Sequence, residues 1–338
     1  MLKATPVLAS ALAASIATAA AAEGELNIYS SRHYDTDEQL YGEFEEATGI
    51  TVNRIEGNAD ELIARMKAEG ANSPADVLIT VDTSRLTRAK DAGVLQPIDS
   101  ETLEARVPGY LQDADNQWFG FSQRARIIFY NKEEVENPPL TYLDLADPAY
   151  EGQICIRSST NVYNQTLLAS IVTHHGAEKA QEWAEGVVAN MAREPQGGDT
   201  DQLRGLVSGE CNIAVSNTYY FARAIRKDVK GLSESRGMIG WVFPSQNSEG
   251  AHMNLSGGGV AAHAPNKENA IKFLEYLSSE SAQEYFSAGN DEYPAVPGVG
   301  LASSIATLGH FKPDDVNLSE VAQNLPEAQK IFDTVGWK

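Results

Sequence analysis

Glu25-Leu-Asn-Ile-Tyr-Ser30, Ile50-Thr-Val-Asn-Arg-Ile55 and Asp76-Val-Leu-Ile-Thr80 are three short apolar runs, and what lies between them decides the fold. Residues 35 to 48 carry helical patterning and stop at Gly49; Asp60 to Glu69 sets Leu62, Ile63 and Met66 at helical spacing; a third helix ends at Gly93. Strand and helix alternate three times. Such a series predicts an α/β fold, a mostly parallel sheet with helices on both faces and ligands at the carboxyl ends of its strands.

The long β-branched and aromatic run Trp118 to Tyr130 reads as a strand able to leave one lobe and enter another. Beyond it, helices are expected at Thr166 to His175, Ala177 to Asn190 and Tyr219 to Asp228, and strands at Cys211 to Val215, Ile239 to Pro244 and Leu255 to His263. An amphipathic helix follows from Lys267 to Leu277. A second crossing near residues 240–260 would return the chain to the first lobe and leave a cleft between two lobes. The expected division is a leader at 1–22, an N-lobe of 23–121 and 246–298, a C-lobe of 122–245, and C-terminal helices at 299–338 packing on the C-lobe. No repeat, low-complexity tract or Pro-rich linker interrupts this pattern.

With 26 basic against 47 acidic side chains the net charge is −21, which disfavours unspecific binding to nucleic acid or to an anionic membrane. Hydrophobic residues at 42% and charged residues at 22% predict a packed core. Met1 to Ala22 has one charge, Lys3, an Ala-rich apolar run and Ala20-Ala21-Ala22 ahead of Glu23, the pattern of an export signal cleaved near Ala22. The chain is therefore expected to be exported, without direct membrane insertion. Two cysteines, Cys155 and Cys211, entering an oxidising compartment predict one disulfide stapling a sheet region.

Thirteen tyrosines are present, and several stand in polar surroundings where a strand gives way to a helix: Tyr34, Tyr163 and the pair Tyr219-Tyr220. Taken singly, each reads as a packing residue with a wet hydroxyl. Together they suggest a hard-cation site, because a trivalent ion can drive the proton off a phenol and phenolate oxygen suits a hard ion. Arg32 and Arg124 are placed to ease the residual negative charge of four phenolates on Fe3+.

Tyr29-Ser-Ser-Arg-His-Tyr-Asp-Thr-Asp37, Ser73-Pro-Ala-Asp-Val77, Gly152-Gln-Ile-Cys-Ile-Arg-Ser-Ser159 and Ser216-Asn-Thr-Tyr-Tyr-Phe-Ala-Arg223 resemble the periplasmic ferric-ion-binding proteins of bacterial ABC iron importers, and among them the tyrosine-rich cyanobacterial type. The resemblance implies a two-lobed, type II binding protein, monomeric and not an enzyme, that closes on Fe3+ and hands it to an inner-membrane ABC permease. It also implies Tyr34, Tyr163, Tyr219 and Tyr220 as ligands, with His33 at the place of a histidine that coordinates in some members. One departure is Val81, which stands where some members supply a glutamate, so a site of tyrosines alone or tyrosines plus histidine is favoured.

Other motifs carry less. His174-His175 reads as a solvent-facing pair at a helix end, because adjacent helical residues diverge. Gly257-Gly-Gly259 lacks the dinucleotide spacing and reads as a close backbone approach. Gly197-Gly-Asp199-Thr-Asp201 reads as a helix cap whose free N–H groups could hold an anion. Two competing readings keep the scaffold and change the ligand to an oxyanion, served by Ser158-Ser159-Thr160 and Arg124, or to a polyamine. A hydrolase using His33 lacks any visible activated nucleophile.

Overall fold

In the computed structural model, which describes residues 24–32, 34 and 37–338, β1 (Glu25–Ser30), α1 (Asp37–Thr48), β2 (Thr51–Glu56), α2 (Ala59–Glu69), β3 (Val77–Val81) and α3 (Thr83–Asp91) follow the alternation the opening runs predict. The leader and His33 lie outside the described residues. Gly49 adopts a φ of 72° and donates its N–H to the Glu45 carbonyl, closing α1 in the left-handed geometry that glycine accepts without penalty. Asn58 caps α2 by accepting from the Asp60 N–H, which turns Leu62, Ile63 and Met66 inward. Every residue of β3 is buried, so the strand reads as an unbroken apolar run.

After α4 (Glu101–Arg106) comes β4 (Phe119–Asn131), then β5 (Ile154–Cys155), α5 (Val162–Ala189), α6 (Asp199–Ser208), β6 (Ile213–Asn217), α7 (Thr218–Arg226) and β7 (Ile239–Val242). The chain ends with β8 (Met253–Val260), α8 (Lys267–Leu277), α9 (Glu280–Asn290), β9 (Tyr293–Pro294), α10 (Ser303–Ala306), α11 (Leu318–Gln323) and α12 (Leu325–Val335). The strand order is β2-β1-β3-β8-β4-β6-β5, with β7 and β9 also pairing with β4. Within it, β1 is parallel to β2 and β3, and β5 to β6, whereas β8 and β4 run antiparallel to their neighbours.

β4 is the strand that joins the two halves. Phe119 to Ala125 pair with β8, and Arg126 to Tyr130 pair with β6, so one continuous strand passes from the first half of the sheet to the second. Its period of two puts Ser122, Arg124 and Arg126 on one face. β8 returns beside it through Gly257-Gly-Gly259, where added Cβ atoms at Gly257 and Gly259 would collide with the carbonyls of Phe119 and Gln117. The glycines permit close strand approach.

Several expected boundaries move. The helix expected from Thr166 begins at Val162, so Tyr163 lies inside its first turn; the break expected near Gly176 is a kink, with φ 81° there, between two helical stretches of α5. His174 and His175 diverge as expected but are not simply solvated: His174 Nε2 is 2.8 Å from Asp314 Oδ2 and His175 Nε2 is 3.5 Å from Glu249 Oε1. The carboxylates come from distant segments that no local pattern signals. Cys155 and Cys211 form the disulfide, with Cα atoms 5.8 Å apart. It is packed so closely against α6 that a Cβ at Gly205 would meet both sulfurs. The cap at Gly198 is filled internally, since Asp201 Oδ2 accepts its N–H at 2.7 Å. α11 and α12 pack on α5, and α11 also meets α3. Among the described residues no helix is long and apolar enough to cross a membrane.

Candidate metal centre

The four singled-out tyrosines stand at the carboxyl ends of three strands. Tyr34 follows β1, Tyr163 follows β5 in the first turn of α5, and Tyr219 and Tyr220 follow β6 in the first turn of α7. β5 and β6 are parallel neighbours, so the two helix starts rise side by side. That registry brings the Tyr163 and Tyr219 hydroxyls to 3.2 Å, while the Tyr219 and Tyr220 rings stack with centroids 4.2 Å apart. Tyr34 joins from the other half of the sheet, close enough to Tyr163 and Tyr219 for their charges to interact. Tyr163 and Tyr219 are buried, and Tyr34 and Tyr220 half-buried.

Guanidinium groups surround the phenols. Arg32 lies 4.8 Å from the Tyr34 ring centroid and Arg124 5.7 Å from that of Tyr219. Arg126 and Arg157 flank Tyr163 at 5.9 and 5.7 Å, and Arg223 flanks Tyr219 and Tyr220 at 5.6 and 5.8 Å. Arg126 is the brace of this half: it donates to Asp199 on α6, Asn217 on β6 and Asn164 on α5. Its presence was readable from its place two residues beyond Arg124 on the same strand face. Arg157 and Arg223 sit within the quoted motifs but have no pattern of their own.

A carboxylate, Glu292, closes the ring and has no counterpart among the sequence expectations. Its Oε1 accepts from Arg124 Nη2 at 2.5 Å, and its Oε2 accepts from Arg32 Nη1 at 3.3 Å and from Ser122 Oγ at 2.8 Å. It arrives on the turn between α9 and β9, where its N–H donates to the Phe286 carbonyl and the pairing of β9 with β4 carries it into the site. Asn290-Asp-Glu-Tyr-Pro294 looks like any polar loop, so sequence alone offers no signal for it.

Burial sets the protonation of this cluster. It raises Tyr34 to about 12, with Glu292 and Tyr163 adding to the effect and Arg32 and Arg124 opposing it. Burial followed by the neighbouring phenols lifts Tyr219 and Tyr220 well above the ordinary tyrosine value of 10.0. Burial would also raise Glu292, but Arg124 and Arg32 outweigh it and hold the carboxyl below its usual range. At neutral pH these three phenols are therefore protonated, and only a strong positive charge would displace their protons. Among the described residues no group of three or more His, Cys, Asp or Glu is placed to hold a metal; phenol oxygens are hard donors of the kind a trivalent ion selects.

Residues 39–313 match the family model described as bacterial extracellular solute-binding protein. Iron uptake protein A1 of Synechocystis sp. is 49% identical across 96% of this chain and 91% of its own, and the major ferric iron-binding protein of Neisseria meningitidis is 26% identical across 97% of both. Among solved structures, the Trichodesmium FutA in complex with iron and citrate superposes with a TM-score of 0.90 at 51% identity, over 93% of this chain and all of that one. Apo FutA2 from Synechocystis gives 0.88 at 43%, over 93% of this chain and 99% of that one. The mixed α/β fold of these binding proteins, a sheet flanked by helices, is shared over 93% of this chain. The chain belongs to the bacterial extracellular solute-binding proteins, within the group that includes the cyanobacterial iron uptake proteins.

Proposed function

We propose that this chain is a non-catalytic periplasmic binding protein that captures Fe(III) between two lobes and delivers it to an inner-membrane ABC permease. The observation that carries the reading is the convergence of Tyr34, Tyr163, Tyr219 and Tyr220 from both halves of the sheet inside a ring of arginines. The ferric ion is the cargo. Its charge displaces phenol protons that burial otherwise retains, and helix N-termini beneath Tyr163 and Tyr219 favour the resulting anions modestly. The lobes are assigned as 23–121 with 246–298 and 122–245, residues 299–338 being carried with the second. Closure of the lobes holds Tyr34 with the other three. The chain is exported by the leader at 1–22 and acts as a monomer.

The names of the relatives support iron as the cargo. A polyamine is opposed by the five guanidinium groups at the phenols, since cation would face cation. An oxyanion suits those groups but has no need of stacked, protonated phenols. Titrating the purified protein with ferric citrate tests the choice: a phenolate-to-iron absorption band should grow and saturate at one ion per chain. A colourless protein that holds no iron by elemental analysis rules the reading out.

A further inference from the structure

We infer that Glu292 is a positioning residue: it is the counter-charge that holds Arg124 across the phenols, and it limits how tightly the cleft retains its ferric cargo. The inference rests on the ferric reading above. Arg124 is fully buried and Glu292 is 1% exposed, so their charges meet in a region with little water to screen them. Of the Arg124 donors, Nη2 is used by Glu292 and Ser256 Oγ, at 2.5 and 2.6 Å, while Nε and Nη1 have no hydrogen-bond partner among the described residues. Tyr34, Tyr163 and Tyr219 are its electrostatic neighbours on the phenol side. A buried arginine facing neutral phenols needs a carboxylate to remain there. Glu292 supplies it, and shares itself with Arg32, whose other carboxylate is Asp37 at 3.2 Å.

Loading changes that balance. In the ferric reading four phenolates surround a trivalent ion, leaving one net negative charge beside Arg124. The guanidinium then favours the loaded state and the nearby carboxylate disfavours it. Because the coupling is reciprocal, removing the carboxylate charge while keeping its shape should tighten retention, and removing the guanidinium charge should weaken it.

The test follows the charge-transfer absorbance of ferric-loaded protein while citrate is added, in wild type, Glu292→Gln, Arg124→Gln and the double variant. Relative to wild type, the citrate concentration that strips half the iron should rise about tenfold in Glu292→Gln and fall about tenfold in Arg124→Gln. The band in Glu292→Gln should also move to shorter wavelength, because a more positive surrounding stabilises the phenolate electrons. The double variant leaves no unpaired buried charge and should return to within about threefold of wild type. An unchanged or lower midpoint in Glu292→Gln overturns the inference. Should that single variant fail to fold, a double variant no better than Arg124→Gln alone overturns it equally. Wild-type protein that shows no band at all removes the ferric reading and this inference with it, a result distinct from the others.

Discussion

Tyr163, Tyr219 and Tyr220 rise from the first turns of two helices on adjacent parallel strands, whereas Tyr34 stands on the segment that leaves β1 in the other half of the sheet. The first group is tied together by the protein itself: a hydroxyl contact of 3.2 Å, a stacked pair, Arg126 bracing α5, α6 and β6 together, and a disulfide behind them. Tyr34 shares none of that bracing; its partners are Arg32 and, through charge, Glu292, Tyr163 and Arg124. Preorganised donors lose little freedom on binding, so they should supply most of the affinity. The lone phenol should complete the site and report closure.

The largest effect that would sharpen this contrast comes from changing Tyr219 and Tyr220 together to phenylalanine. Ferric affinity should fall by more than about a thousandfold and the visible band should vanish, since two donors leave the prearranged side at once and each is worth at least what a supporting residue costs. Near-normal colour would break the contrast. Next, Cys155→Ser with Cys211→Ser opens a loop with a sequence separation of 56 and should lower unfolding free energy by about 4 kcal/mol, read by urea denaturation. Tyr34→Phe should weaken binding by only about tenfold to a hundredfold while keeping a shifted band, and small-angle scattering should show less compaction on loading. A loss as complete as that of the paired variant would mean that both sides matter alike.

The smallest effect concerns alkaline stability of the metal-free protein. The folded chain holds the Tyr34 proton until about pH 12, whereas the unfolded chain releases it near 10.0, so folding binds more protons in that window and stability falls as pH rises through it. The decline should be about 1 kcal/mol or less by pH 11, given the partial exposure of Tyr34. Tyr219 and Tyr220 extend the decline beyond Tyr34, because burial lifts them well above 10.0. The Tyr219→Phe, Tyr220→Phe protein should show a flatter profile. Stability that rises between pH 10 and 12 would contradict the burial argument.

Periodicity exposed the parts of the molecule that local chemistry fixes. The opening strands and helices, the long strand β4, the kink at Gly176 and the disulfide all follow from apolar spacing, glycine placement and paired cysteines. The tyrosines were visible because they interrupt that pattern at strand-to-helix junctions. Glu292, Asp199 and the carboxylates facing His174 and His175 were not, since each reaches its partner through a fold-level crossing: β9 onto β4, α6 beneath β6, residue 314 against α5. Residues that act through long-range pairing leave no local period.

In the ferric reading, phenols from both halves give up their protons to one trivalent ion. The decisive experiment is the crystal structure of the ferric-loaded protein, with the ion located by its anomalous scattering. One ion bonded to the hydroxyl oxygens of Tyr34, Tyr163, Tyr219 and Tyr220 is the predicted result. An ion bound elsewhere, or held only by groups from one half with Tyr34 turned away, would contradict it.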